Sequence, residues 1–378
     1  MNKLGFDTNR LAQIEQHIRA RVDAHILPGA AWSVCRHGVC ISEGAAGWFE
    51  SDVTPLTTDA LFRLASMSKP ITATAVMMQV ERGFFRTGDL IENYFPEFRH
   101  MYYMGQNGVE EAPPIKIIHL LSHSSGLLQE EYGEEQFERI SPKGNETLAD
   151  MIPRYAQTTL SFRPGDRWNY SAIAGLDVLA RLVEVTSGMK YSDFLQKNIF
   201  DPLEMTDITF HMTNAQRKRL VPMYTSTAEG LVLCPHFDNF ESFPETYESG
   251  SASLIGTLSD YTKFADMLRR GGIGANGARI LSPRSIERMR HPAFDFNMPE
   301  GGPTWGLGMR VIRGYNTDEA PLTPGTYGWS GAYGTHFFID PTLDLACVYM
   351  SNMSNAGGSG APTAFEFEND VMQALVEY

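Results

Sequence analysis

Apolar positions change their spacing along the chain, and the changes mark the elements. Near the start, Leu11, Ile14, Ile18 and Val22 recur every three or four residues, which places them on one stripe of an amphipathic surface helix over residues 8–25. Two strand-like runs follow, at 30–35 and 39–44, and His37-Gly38 between them reads as a two-residue hairpin loop. Ala60 to Leu64 then lead into a strongly apolar helix from Ser66 to Arg82, which Gly83 ends. From about residue 90 to 250 the pattern breaks into short helical stretches separated by loops rich in glycine, proline and acidic residues, clearest near 115–121, 171–187 and 191–198. After a helix near 258–270, strand-like runs return at 305–313, 334–339 and 344–351, before a closing helix near 363–376.

Strands at both ends with helices between predict an α/β (α+β) fold in which one sheet draws on both ends of the chain. The expected division is a sheet domain from 1–88 and 250–378 and a mostly helical domain from 89–249, with a cleft between them. The glycine-rich stretch Asn355 to Gly360 is short enough to read as a surface loop.

Composition narrows the function. The 378 residues are 43% hydrophobic and 20% charged, the range of an ordinary folded protein. With 31 Lys+Arg against 45 Asp+Glu, the net charge of −14 repels a phosphate backbone, so nucleic acid is excluded as an expected partner. No run approaches the roughly 18 apolar residues that span a bilayer, and the first residues lack a signal peptide's apolar core. The expectation is a cytoplasmic protein with no membrane partner and an open oligomeric state. Cys35 and Cys40 face each other across the hairpin; in that compartment neighbouring thiols are expected to stay reduced, with a regulatory disulfide as the alternative.

Three segments carry candidate chemistry. In Ala65-Ser66-Met67-Ser68-Lys69-Pro70, Ser66 and Lys69 lie three apart at a helix start, on one face. A serine hydroxyl needs an adjacent base, and a lysine held uncharged can be one. The bland alternative is a helix cap beside a surface lysine. In Trp168-Asn169-Tyr170-Ser171-Ala172, the tyrosine sits in a loop ahead of a helix, where its phenol can relay a proton or simply pack. In Tyr327-Gly328-Trp329-Ser330-Gly331-Ala332-Tyr333-Gly334, glycines on a strand mark either close approach of a ligand or a bulge. His119 and His123 lack the rest of a zinc motif, so no metal is expected; His336 reads as a structural hydrogen-bonding residue, and Gly306-Leu307-Gly308 as strand geometry.

In their order and separations these segments resemble the class C β-lactamase, penicillin-binding protein and family VIII carboxylesterase group of serine hydrolases. Leu120-Leu-Ser-His-Ser-Ser-Gly-Leu127, Arg163-Pro-Gly165, Leu258 to Phe264 and Trp305-Gly-Leu-Gly308 add to the likeness, which spans about residues 25–355. The resemblance implies a β-lactamase/penicillin-binding-protein-like fold, with a central antiparallel sheet flanked by helices plus an inserted helical domain, and no cofactor. It also implies Ser66 as nucleophile, Lys69 as general base, Tyr170 as proton relay, and the N–H groups of Ser66 and Ala332 as oxyanion hole. Trp329, Ser330 and Gly331 would contact substrate.

Two departures bear on substrate. Where lactamases carry Lys-Thr-Gly this chain has Trp329-Ser330-Gly331, and where they carry Tyr-x-Asn it has Tyr170-Ser171-Ala172. The first removes a positive charge and the second an amide, as in the esterase branch, so a small-molecule ester is the expected substrate. The alternatives are β-lactam or D-amino-acid peptide hydrolysis, acyl transfer to an alcohol, and a homologue that traps a ligand without turnover. Residues 122–135 and 243–253 are the expected pocket walls.

Overall fold

The computed structural model describes residues 2–50, 53–106, 108–234, 243–294, 303–314 and 322–377. Among them, strands from both ends of the chain form an eight-stranded sheet. Its spatial order is Pro303–Trp305, Arg310–Ile312, Tyr327–Ser330, His336–Asp340, Leu345–Met350, Gly29–Arg36, Val39–Glu50 and Thr54–Pro55. Every neighbouring pair is antiparallel.

The alternation of side chains along a strand sorts the core into two layers. Phe338 packs with Phe367 on the terminal helix Pro362–Ala374, whereas Phe337 packs with Tyr261 on the helix Leu258–Arg269. The stripe Leu11, Ile14, Ile18 and Val22 is buried in the first of these layers, as its spacing predicts. The helix that carries it is interrupted at Ala12, giving Thr8–Leu11 and Gln13–Asp23, and the Asp7 carboxylate caps the first piece through the N–H groups of Asn9 and Arg10. The apolar helix after Ser66 runs Ser68–Glu81 and is buried on all sides along most of its length, consistent with its lack of a polar face.

The first hairpin turns at His37 and Gly38 with φ of 52° and 76°, the left-handed pair that a two-residue loop of this kind requires. Cys35 and Cys40 are register partners there, with Cα atoms 3.9 Å apart, and their sulfurs are bonded. The expected pair of free thiols is thus corrected: directly opposite positions beside a tight turn bring the sulfurs together.

A second correction concerns 305–313. That run is two strands, joined by a turn through Gly306–Gly308, because Gly308 takes φ of 82°. A Cβ on Gly308 would lie 2.4 Å from the Cβ of Ala73, and its N–H donates to Leu121 O at 2.9 Å. The turn is wedged against the Ser68–Glu81 helix. The helices Glu130–Ile140 and Leu148–Tyr155, and the pairing of Leu61–Arg63 with Ile255–Thr257, lie beyond what the periodicity indicated. No helix among the described residues is long and apolar enough to cross a membrane.

Gly308→Ala should destabilise the fold by about 1 to 3 kcal/mol, through overpacking and a disfavoured φ. Calorimetry should show a midpoint lowered by several degrees; an unchanged midpoint would mean the turn has room.

Candidate active site

Ser66 is delivered by pairing that fixes the residues just before it. After Leu61–Arg63, the Leu64 N–H bonds Leu254 O at 2.9 Å, and the chain enters a 3₁₀ turn, Ala65–Met67, that runs into the helix Ser68–Glu81. Ala65 takes φ of 46°, a strained conformation for a residue with a side chain. Ser66 therefore sits at a helix start, partly exposed, where free N–H groups favour negative charge.

Lys69, one turn on, is fully buried. Its Nζ reaches Ser66 Oγ at 3.1 Å, Ala172 O at 2.6 Å and Ser251 O at 3.1 Å, so each of three donor directions has a partner. Both carbonyls come from segments that are themselves pinned. The Ser251 N–H donates to the buried Asp177 carboxylate at 3.0 Å, and that carboxylate also accepts from Tyr247 and Ser249. The loop ending in Ala172 is held by His123, whose Nδ1 accepts the Ser171 N–H at 3.1 Å and whose carbonyl accepts the Asn169 N–H at 3.1 Å. Gln129 bridges the carbonyls of His123 and Asn169.

The same loop presents Tyr170. Its ring lies 5.1 Å from Lys69 Nζ and against His123, and its phenol oxygen accepts the Trp329 Nε1–H at 3.2 Å. Trp305 closes the group, with its ring centroid 4.4 Å from that of Trp329 and its Nε1–H on Leu121 O. Burial, and then the charge of Lys69, push the His123 imidazole well below its usual range, so it stays neutral and acts as a brace.

The glycine-rich strand completes the site. Pairing with Arg310–Ile312 ends at Gly328, while pairing with His336–Asp340 continues to Ser330, which leaves the edge beyond Gly328 facing Ser66. A Cβ on Gly331 would stand 2.3 Å from Leu64 O. The close approach this glycine permits is therefore to the chain's own backbone beside the serine, and its N–H closes the turn on Thr335 O at 2.7 Å. The next residue, Ala332, lines a cavity of about 500 Å³ together with Ser66, Trp168, Tyr170, Trp329 and Ser330.

The structure thus gathers Ser66, Lys69, Tyr170, Trp329, Ser330 and Ala332, with Gly331 beneath them. The far wall corrects the sequence reading: Ser354, Asn355 and Gly357 to Ser359 line the cavity, whereas 122–135 braces Tyr170 and 243–253 supplies the carbonyl behind Lys69. The stretch read as a surface loop is one, with Asn355 and Gly357 exposed, and it also forms a wall of the pocket. His336 hydrogen-bonds Ser330 from behind at 2.8 Å, as a structural histidine would. His119 sits elsewhere, accepting the Lys116 N–H at a helix start.

A partly exposed serine held against a buried lysine, at a helix start beneath a glycine-rich strand, is the layout of a serine hydrolase. Residues 14–365 match the family model described as Beta-lactamase, and the chain belongs to that family. "Esterase EstB" of Burkholderia gladioli is 30% identical over 364 residues, which cover 89% of each chain. "Penicillin-binding protein 4" of Amycolatopsis lactamdurans is 26% identical over 95% of this chain and 89% of its own. Among solved structures, one described as "EstCE1, a hydrolase with promiscuous acyltransferase activity" superposes with a TM-score of 0.81 at 26% identity, covering 98% of this chain and 99% of its own. The protein is an enzyme, a serine hydrolase with the β-lactamase-like fold.

The two histidines link stability to pH. Burial, then Lys116, lower His119 to about 4, and His123 is also strongly depressed. Both bind protons more readily when unfolded, so the stability they confer is present above about pH 6.5 and is lost as pH falls toward 4. His119→Gln should flatten the fall in melting temperature between pH 7 and 4.5; an equally steep fall would assign it to His123 or to carboxylates.

Proposed function

We propose that this protein is a carboxylesterase-type hydrolase that cleaves uncharged carboxylic esters through an acyl-enzyme on Ser66. The observation that carries the reading is the clamp on Lys69. In its amine form the nitrogen has two N–H groups and one lone pair; with the N–H groups committed to Ala172 O and Ser251 O, the lone pair is aimed at the Ser66 hydroxyl.

The chemistry then follows in two halves. Lys69 takes the Ser66 proton, and the ammonium keeps all three contacts. Ser66 Oγ bonds to the ester carbonyl carbon, and the carbonyl oxygen gains charge between the N–H groups of Ser66 and Ala332, an interaction in which one donor is typically worth about 3 to 4 kcal/mol. The alkoxide leaves with a proton passed from Lys69 through Tyr170. Water repeats the attack with the same groups, releasing the acid and restoring Ser66.

The ester assignment is supported by what lines the cavity. Trp168, Tyr170 and Trp329 form an aromatic wall, and among the described residues serine, asparagine, glycine and alanine complete it, with no charged side chain. Trp329 occupies the strand position where a lysine would place a cation, and it donates a neutral N–H to the Tyr170 phenol instead. A neutral acyl or alkyl group is favoured there over a carboxylate.

Wild type should hydrolyse p-nitrophenyl butyrate, and do so much faster than nitrocefin, with Ser66→Ala inactive toward both. Lys69→Ala should lose at least about 10²-fold in kcat. Turnover that survives Ser66→Ala, or a preference for nitrocefin, would overturn the ester reading.

A further inference from the structure

The two N–H groups assigned to the oxyanion hole belong to different turns. Ser66 lies in the 3₁₀ turn Ala65–Met67 and is partly exposed; Ala332 lies between the strands Tyr327–Ser330 and His336–Asp340, exposed at the cavity wall. Among the described residues neither N–H donates to a partner, so both are free to meet a developing charge. Donors of this kind are effective when they stand about 2.7 to 3.1 Å from where the oxyanion forms. The two turns must therefore be held at a fixed separation.

One buried carbonyl joins them. Leu64 O accepts the Met67 N–H at 3.1 Å, which closes the turn that carries Ser66, and it also accepts the Thr335 hydroxyl at 3.0 Å. Thr335 grips the second turn as well: its own carbonyl accepts the Gly331 N–H at 2.7 Å, one residue before Ala332. Leu64 is itself anchored, through its N–H to Leu254 O at 2.9 Å. Leu64 and Thr335 are fully buried. The sense of the bond between them is fixed, since a carbonyl oxygen only accepts and the hydroxyl must donate. A side chain at Gly331 would collide with both Leu64 O and the Thr335 hydroxyl, so the three residues meet with no space between them. Ala65, which links Leu64 to Ser66, takes φ of 46°, and a strained link persists where its surroundings fix both ends.

We propose that Thr335 is a positioning residue for catalysis, whose hydroxyl, bonded to Leu64 O, sets the spacing between the Ser66 and Ala332 N–H groups. The hydrolytic steps above do not use it, and it acts only through the two turns. The proposal rests on the ester reading, in which those N–H groups hold the charge that forms on the carbonyl oxygen. Thr335→Val keeps the shape of the side chain and removes the hydroxyl. Leu64 O then retains the Met67 N–H, so the carbonyl is not left bare. The turns lose their direct link, and the donors shift from their best positions. Stabilisation of the transition state weakens while binding of the ester does not, which is a loss in kcat.

The test compares p-nitrophenyl butyrate with its thiono analogue, in which sulfur replaces the carbonyl oxygen. Sulfur is a weak acceptor, so the thiono ester draws little from the two donors. Thr335→Val should lower kcat for the oxygen ester by about 10-fold to 10²-fold, less than loss of a whole donor, with KM changed by less than about twofold. The thiono ester should lose far less, so that the ratio of the two kcat/KM values falls at least about fivefold. Thr335→Ser, which restores the hydroxyl, should recover the ratio. If Thr335→Val does not fold, Thr335→Cys, similar in size and only a weak donor, takes its place under the same outcomes. Equal losses on both esters, no loss on either, a loss in KM alone, or Thr335→Ser as impaired as Thr335→Val would overturn the inference while leaving the ester reading in place. Absence of Ser66-dependent turnover of p-nitrophenyl butyrate would overturn the ester reading, and this inference with it.

Discussion

The site depends on a single buried nitrogen. Lys69 Nζ lies within a fully buried side chain and is shared between a serine hydroxyl and two backbone carbonyls more than a hundred residues away in sequence. An amine in that position cannot be left unsatisfied without a cost of about 1 to 3 kcal/mol per missing bond, more if charged. The fold meets this by pinning both carbonyl acceptors of the clamp: Asp177 fixes the Ser251 segment, and His123 with Gln129 fixes the loop that ends at Ala172. Both braces are themselves buried. The clamp therefore ties the helix that begins beside Ser66 to two separate stretches of the chain, and the direction of the third Nζ contact, to Ser66, follows from where their backbones run.

The opposite wall is set by backbone approach. Gly331 passes so close to Leu64 O that a side chain there would collide, and the strand edge beyond Gly328, unpaired by Arg310–Ile312, lies open beside Ser66. Ala65 absorbs strain on the serine side of that contact. The aromatic group of Tyr170, Trp305 and Trp329 with His123 packs along that edge. One hydrogen bond, from Trp329 to Tyr170, joins the strand to the Tyr170 loop.

Much of this was legible in the residues. The Ser66 and Lys69 spacing, the Tyr170 loop and the Trp329-Ser330-Gly331 strand each carry side-chain chemistry at a fixed position, and the stripe from Leu11 to Val22 carries a periodicity. The two partners that orient Lys69 left no such mark, because they are main-chain carbonyls and Ala172 or Ser251 could be almost any small residue. The pocket-lining role of 354–359 left no mark for a related reason: serine and glycine compose a pocket wall and a solvent loop equally well. The run at 305–313 looked like one strand because strands of three residues are too short to show their own alternation, and only the left-handed φ at Gly308 reveals the turn. The Cys35–Cys40 bond stayed an alternative because sequence spacing can place two sulfurs together but does not report whether they join.

The central claim is that Lys69 activates Ser66, and rate of covalent capture measures it most directly. Incubation with an alkyl fluorophosphonate, followed by intact-mass and peptide analysis, should show one adduct, carried by Ser66. With Lys69→Met, which keeps length and burial but has no basic nitrogen, labelling should slow by at least about 10²-fold, as expected for loss of the base. An adduct on another residue, or labelling of Lys69→Met at the wild-type rate, would contradict the account.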